Sequence, residues 1–510
     1  MKIFIGKPFK THRINRFLHG SFFEYFGTAI YDGIWVGKNS SIPNVDGIRL
    51  SLIECLCDAG ITMLRWPGGC CADHYHWRDG VGSDRLSHIH PCPPPDIWRH
   101  EFGTDEFLKL CQLKNTEPMI VVNTATDSPK EFLAWFEYVN GPTNTGYGKM
   151  RADNGHPEPY NVTYWGFGNT DENVWWPYEN EPEEYAKIFR RFITSIRDLR
   201  PFIKIISAGL NTKHPERPGW NARFLKYTNT WQGKTYLGPD YISNHQYIGA
   251  LNKRDSICSD AVDYSDEAYY AALSLMDSYY KADIDALRTD ITLYTPLLRK
   301  TSKGLDPAMT DRGAQNITKV SFDEWGMWHP EATEEQGQRM RQTMRDAIFA
   351  AGALHLFYRE SDIVEIAMQT QTINFLQSLM ETNNELYFYT PTYWVMKLLK
   401  EHQEQYLVEC VLEKADKMLD MVVTMNNTES RLVTSIVNRD LYEQKQIRLI
   451  LPDRPEVWKT VAADIIAPKN VRLYNTFEQR ENVTAKPFEF QSGDSIILPP
   501  HSIVRIVLET

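Results

Sequence analysis

Through the first two-thirds of the chain, short apolar runs alternate with longer stretches whose apolar positions recur at helical spacing, the imprint of βαβ units. Thr62-Met63-Leu64-Arg65-Trp66 reads as a buried strand stopped by Pro67-Gly68-Gly69, and Ile48 to Ala59 ahead of it has helical spacing. Pro118 to Asn123 repeats the pattern behind a helical stretch from Phe107 to Cys111. Phe17 to Glu24, Val162 to Gly168, Lys204 to Ala208, Tyr241 to His245, Val320 to Glu324 and Val364 to Met368 bring the expected strands to eight. Polar residues stand at or just beyond several of these strand ends: Glu24, Arg65, Asn123, Asn169, His245 and Glu324. A (β/α)8 TIM barrel places its chemistry at the carboxyl ends of its strands, so such endings are what that α/β fold predicts. No Gly-rich phosphate turn follows the first strand, which weighs against a doubly wound open sheet.

After about Thr390 the texture changes to short runs rich in Val, Ile and Leu: Met418 to Met425, Arg431 to Val437, Gln446 to Leu451, Val471 to Tyr474 and Ile496 to Leu508. Turn signals such as Asn426-Asn427 and Pro452-Asp453 separate them, which predicts a C-terminal all-β sandwich domain. The opening run Lys2-Ile3-Phe4-Ile5 alternates and adds a strand to it. The expected division is a catalytic barrel over 18–390 and a β-sandwich domain built from 1–17 plus 391–510. Pro93-Pro94-Pro95 and Thr301 to Gln315 read as surface loops, and no internal repeat or low-complexity linker is found.

A length of 510 residues fits about two to four domains. With 55 basic and 66 acidic side chains the net charge is −11, and no basic block is present. That balance argues against nucleic-acid or anionic-membrane partners, whose phosphates need clustered positive charge. Of the cysteines, Cys70 and Cys71 are adjacent and Cys55-Leu56-Cys57 lacks the spacer of a redox or zinc pair. Lys10 and Arg13 interrupt the N-terminus before any apolar core of a signal peptide forms. Reduced thiols in a cytoplasmic protein are the expectation. The 14 Trp, 26 Tyr and 23 Phe suit sugar faces, although core packing is their commoner use.

Three clusters carry candidate chemistry. Ser321-Phe322-Asp323-Glu324-Trp325-Gly326-Met327-Trp328 delivers a carboxylate into an aromatic setting where a barrel strand ends. The plain alternative is a strand-end Glu paired with an Arg for stability. Tyr164-Trp165-Gly166-Phe167-Gly168-Asn169-Thr170-Asp171-Glu172 ends a second strand in a polar cluster, and two carboxylates facing across one pocket are what retaining glycoside hydrolysis requires. Its alternative is a capped loop leading into the helix that starts at Pro182. In the third, Arg65 to Trp77, His74 and His76 lie two apart but lack a third ligand at suitable spacing, so no metal site is expected. His245, at a strand end, reads as a hydrogen-bonded core residue.

Phe22-Phe23-Glu24-Tyr25-Phe26-Gly27, Arg65-Trp66-Pro67-Gly68-Gly69-Cys70, Tyr75-His76-Trp77-Arg78-Asp79-Gly80, Tyr164 to Asn169, His245-Gln246-Tyr247, Asp323-Glu324-Trp325 and Gln371-Thr372-Ile373-Asn374 run in this order. Together they resemble glycoside hydrolase family 51, the α-L-arabinofuranosidases. The resemblance implies a (β/α)8 barrel with a C-terminal β-sandwich, acting with retention as an exo-glycosidase on arabinofuranosyl oligosaccharides. It implies that Glu324 is the nucleophile, that Asn169 holds the sugar 2-hydroxyl and that Tyr247 hydrogen-bonds the nucleophile. Glu24, Cys70 and Gln371 would bind the furanose, and Arg65 would help keep Glu324 ionised. No cofactor and no metal are implied. Relatives often form hexamers, so a homo-oligomer is expected by resemblance.

The pattern breaks at one position. The family motif Gly-Asn-Glu supplies the general acid/base, whereas this chain reads Gly168-Asn169-Thr170, with Asp171 and Glu172 following. A threonine hydroxyl cannot deliver a proton near neutral pH. The sequence leaves three readings: Glu172 or Asp171 acts as a displaced acid/base, the enzyme is impaired but still binds sugar, or the pocket serves another glycoside.

Overall fold

The computed structural model describes residues 1–90, 96–169, 181–212, 217–229, 231–232, 235–249, 266, 273, 276–301, 304–307, 315–316, 318–329, 331–333, 337–451, 457–491, 493 and 495–510. A long N-terminal strand, β1 (Lys2–Arg13), precedes eight parallel strands: β2 (Gly20–Phe22), β3 (Met63–Trp66), β4 (Glu117–Val122), β5 (Tyr164–Phe167), β6 (Lys204–Ser207), β7 (Tyr241–Gly249), β8 (Lys319–Trp328) and β9 (Val364–Thr370). Each pairs with its neighbours in sequence, and β9 closes on β2 with Thr370 opposite Phe22, giving a closed barrel. All eight expected strands are present, with ends shifted by a few residues.

Buried strands flanked by helices on the outside must be apolar on both faces, which is why they read as continuous runs. The barrel interior is filled by Phe22, Met63, Met119, Val121, Ile206, Ile366 and Met368, an apolar cluster separate from the larger one under the helices. The first eight described helices are α1 (Leu50–Asp58), α2 (Thr104–Lys114), α3 (Pro129–Asn140), α4 (Gly146–Asp153), α5 (Pro182–Ser195), α6 (Trp220–Thr228), α7 (Met276–Tyr294) and α8 (Met344–Arg359), followed by α9 (Pro391–Leu399). The start of α3 shows the local logic. Ser128 accepts a hydrogen bond from the Glu131 amide, Pro129 stands in the first turn, and Phe132, Trp135 and Tyr138 face the core. The expected division at residue 390 falls just before α9, which packs on α8 and is tied to Asp58 of α1 by Tyr393 and by Lys397 at 2.6 Å.

The C-terminal region forms one nine-stranded sheet from β1 and β10 (Tyr406–Leu412), β11 (Leu419–Met425), β12 (Arg431–Asn438), β13 (Lys445–Ile450), β14 (Lys459–Ile466), β15 (Ala485–Pro487), β16 (Ser495–Leu498) and β17 (Ser502–Glu509). Their order is β15-β14-β17-β12-β11-β10-β1-β13-β16. Residues from distant parts of that order, such as Leu498 of β16 and Leu432 of β12, share one apolar core, so the sheet folds over itself as a sandwich does. Pro499-Pro500 splits the expected Ile496-to-Leu508 run into two strands. The run Val471 to Tyr474 is not a strand: Val471 and Leu473 pack on the barrel core, and the Val471 carbonyl accepts from the Met344 amide at the start of α8. Among the described residues no helix is long and apolar enough to cross a membrane.

Candidate active site

Side chains at the carboxyl ends of β2, β3, β5, β7, β8 and β9 converge around Glu324, with Arg65 on one side and Tyr247 on the other. Arg65 Nη1 donates to Glu324 Oε1 at 2.8 Å, and Tyr247 Oη donates to Glu324 Oε2 at 2.7 Å. Both carboxylate oxygens are therefore held by groups from other strands, which fixes the plane of the carboxylate. Arg65 is almost wholly buried; its Nη2 donates to Asn169 Oδ1 at 2.6 Å and its Nε lies 3.6 Å from Asp323 Oδ2. One guanidinium thus connects two carboxylates of β8 and the amide that follows β5, using the planar fork that lysine lacks.

Asn169 is placed from its backbone. Its amide donates to Asp73 Oδ2 at 3.0 Å, while Asp73 Oδ1 accepts from the Thr124 amide at 3.1 Å. Gly168 turns the chain there with φ +77°, and a Cβ at that position would approach Thr124 Oγ1 to 2.6 Å. That explains the glycine before Asn169. Thr170, Asp171 and Glu172 lie outside the described residues.

Glu24 forms the second wall. Its Oε2 accepts from the Gly69 amide at 2.8 Å and the Cys71 amide at 3.4 Å, with Cys70 Sγ at 3.9 Å, and its Oε1 accepts from Gln371 Nε2 at 2.7 Å. Glu24 and Gln371 are far apart in sequence but adjacent in space, because β9 closes against β2. Backbone at Gly68 and Gly69 passes so close that a Cβ on Gly69 would lie 2.5 Å from Glu324 Oε1. Glu24, Cys70 and Cys71 also bring oxygen and sulfur atoms within 4.8 Å of one another, the one described group with the donors for a metal ion. His76 instead pairs with Asp127 at 3.2 Å.

The electrostatics follow from burial. Loss of solvent, then the neighbouring Cys70 and Glu324, push the Glu24 carboxyl well above the usual range. Burial and then Glu324 push the Tyr247 phenol up as well, keeping it a donor. Asp323 is fully buried, which alone would raise it; Arg65 and hydrogen bonds from His245 and Ser243 outweigh burial and hold it below the ordinary carboxylate value. Burial works against the Arg65 charge, and Asp323 with Glu324 more than restores it.

Glu324, Glu24, Cys70, Asn169, Tyr247 and Gln371, all expected site residues, are brought together around Arg65. Two others join them that the sequence reading did not assign. One is Asp323, a member of the Asp323-Glu324-Trp325 motif; the other, His245, expected as a core residue, has Nδ1 3.4 Å from Glu324 Oε2 and Nε2 3.5 Å from Asp323 Oδ1.

Comparison with known proteins agrees with this architecture. Family models for the alpha-L-arabinofuranosidase 1 domain and the alpha-L-arabinofuranosidase C-terminal domain match residues 55–257 and 323–502. An alpha-L-arabinofuranosidase C of Emericella nidulans is 30% identical over 409 residues, 78% of this chain and 74% of the relative. An intracellular exo-alpha-L-arabinofuranosidase of Bacteroides ovatus is 29% identical over 510 residues, 96% of this chain and 92% of its own. The crystal structure of the GH51 arabinofuranosidase from Xanthomonas axonopodis pv. citri shares the fold over 100% of both chains, with a TM-score of 0.81 at 24% identity. The alpha-L-arabinofuranosidase from Thermotoga maritima, in an arabinose complex, gives 0.78 at 25% identity over 100% of each chain.

Proposed function

This chain belongs to glycoside hydrolase family 51, the α-L-arabinofuranosidases, and from that premise we propose that it releases terminal α-L-arabinofuranosyl residues from oligosaccharides with retention, using Glu324 as nucleophile. The observation that carries the reading is the grip on Glu324: Arg65 at 2.8 Å and Tyr247 at 2.7 Å hold both carboxylate oxygens and aim the group from the end of a barrel strand. Attack on the anomeric carbon forms a covalent arabinofuranosyl-enzyme as the glycosidic oxygen leaves, and water then displaces Glu324 from the opposite face. Asn169, with Oδ1 turned to Arg65, presents its amide nitrogen to the sugar 2-hydroxyl. Glu24, held by Gln371 and the Gly69 amide, hydrogen-bonds a furanose hydroxyl, and Cys70 lies against the same sugar.

The acid/base is the open position. We assign proton transfer to Glu172 or Asp171, displaced from the slot that Thr170 takes; Thr170 itself favours a second reading, an impaired enzyme that binds sugar. A general acid/base contributes about 10²–10⁴-fold, so the two differ measurably. Pre-steady-state release of nitrophenol from 4-nitrophenyl α-L-arabinofuranoside, with and without azide, decides between them. Fast steady turnover indifferent to azide supports a displaced carboxylate. A one-equivalent burst followed by slow turnover that azide accelerates means that the acid/base is missing while Glu324 works. No release at all sinks the arabinofuranosidase reading. A cytoplasmic homo-oligomer is part of the same proposal, and sedimentation of the purified protein tests the assembly.

A further inference from the structure

Successive side chains of a strand point to opposite faces, so Asp323 and Glu324 should not both face the barrel interior. They do, because β8 carries one extra residue. From Ser321 to Glu324 it advances three positions while β7 advances two, from Ser243 to His245; on the other side, Phe322 to Trp325 lies against only Ala367 to Gln369, offset by the extra residue that β9 carries between Val364 and Ile366. A bulge of this kind re-aims a side chain beside a site. Both carboxylates are buried, Asp323 with 2% and Glu324 with 8% of their surface exposed.

The two acids hold the same partners by opposite ends. Arg65 reaches Glu324 through Nη1 at 2.8 Å and faces Asp323 through Nε at 3.6 Å. His245 lies between them, Nδ1 3.4 Å from Glu324 and Nε2 3.5 Å from Asp323. Ser243 Oγ donates to the Asp323 oxygen nearer His245. Asp323 is thus the fixed anchor for an arginine and a histidine whose other ends set the position of Glu324. We propose that Asp323 is a positioning residue of the reaction. It locks Arg65 and His245 from behind and takes a share of the Arg65 charge that would otherwise fall on Glu324 alone. The bulge in β8 exists to bring this second carboxylate inward. The inference rests on the reading of Glu324 as nucleophile.

Asp323→Asn keeps the shape and removes the charge. With 4-nitrophenyl α-L-arabinofuranoside, the first nitrophenol release slows by about tenfold to a hundredfold, the cost of a small misplacement of a reacting group, with KM little changed. The acid limb of the kcat/KM profile moves to lower pH by about one unit, since one negative charge fewer shares Arg65 with Glu324. A merely structural role would lower stability without moving that limb. Ser243→Ala, which removes the hydroxyl bonded to Asp323, moves rate and limb the same way by less. A folded Asp323→Asn protein with the wild-type rate and acid limb overturns the proposal; if that variant does not fold, an unmoved limb in Ser243→Ala overturns it. Glu324→Gln separates the two ideas. If it releases nitrophenol as fast as the wild type, or the wild type releases none, the nucleophile reading fails and this inference falls with it. If Glu324→Gln is dead and Asp323→Asn is normal, only the role of Asp323 is lost.

Discussion

Gly69 occupies a position where a single methyl group reports on the site rather than the fold. Its Cβ would lie 2.5 Å from Glu324 Oε1 and 3.4 Å from Glu24 Oε2, and the closest atom is the far end of a side chain, not backbone. Folding can therefore accommodate Gly69→Ala by displacing the Glu324 carboxylate, so kcat/KM should fall by about a hundredfold or more while the thermal midpoint hardly moves. A variant with normal kcat/KM would mean that Glu324 is not where the chemistry happens. Tyr247→Phe removes one hydrogen bond to a charged group, worth about 1.5–3 kcal/mol, and should lower kcat/KM by about ten- to a hundredfold in the same assay. At this scale the sequence was legible where a residue closes an apolar run, as Glu24, Arg65 and Glu324 do. Cys70, Gln371 and Tyr247 were found only through their resemblance to known motifs. Asp323 was hidden because strand alternation assigns it to the opposite face from Glu324, and only the bulge cancels that rule.

Elements were legible in proportion to how completely they are buried. The barrel strands are enclosed on both faces and read as apolar runs; β10 and β14 were missed because polar positions such as Glu409 and Asp464 break their runs. Val471 to Tyr474 misled in the opposite direction, an apolar segment that covers the barrel rather than extending a sheet. The N-cap of α9, Thr390 followed by Pro391, carries a prediction. Buried Thr390 accepts from the Tyr393 amide at 3.3 Å and donates to the Ser378 carbonyl at 2.7 Å. Thr390→Ala should lose about 0.5–2 kcal/mol, the range for an N-cap side chain, and Thr390→Ser should recover most of it. Equal urea midpoints for the alanine variant and the wild type would remove the cap from the account.

At the scale of the whole molecule, barrel and sheet are joined by a buried polar network that no strand or helix pattern announces, because its members lie far apart in sequence. Asp420 of β11 accepts from Arg359 of α8 at 2.8 Å and from Arg439 at 3.1 Å, and faces His355 Nδ1 at 3.0 Å. His355 Nε2 and His402 Nε2 both meet Ser435 Oγ, at 2.6 and 2.8 Å, and His402 Nδ1 meets Thr424 Oγ1 at 2.8 Å. Serine, histidine and aspartate in this order resemble a hydrolytic triad, yet Ser435 and His355 are wholly buried, so no substrate reaches them and the array serves to join the two regions. Its histidines make that join sensitive to acid. Burial, then His355, His19 and Arg505, hold His402 well below the ordinary histidine value, and burial, then Lys400, lowers nearby His19 to about 3. Both stay neutral in the folded protein while their unfolded counterparts take up protons below about pH 6.5. The unfolded chain therefore binds more protons as the pH falls, and each histidine removes about 1.4 kcal/mol of stability per pH unit from about 6.5 down towards its folded value. Asp420, held well below its ordinary value by its cationic partners against the cost of burial, keeps its own contribution throughout that window. The urea midpoint should thus drop steeply between pH 6.5 and 5. His402→Gln, which retains hydrogen-bonding capacity without titrating, should flatten the slope by about one proton. A midpoint independent of pH across that range would mean that neither histidine is linked to unfolding.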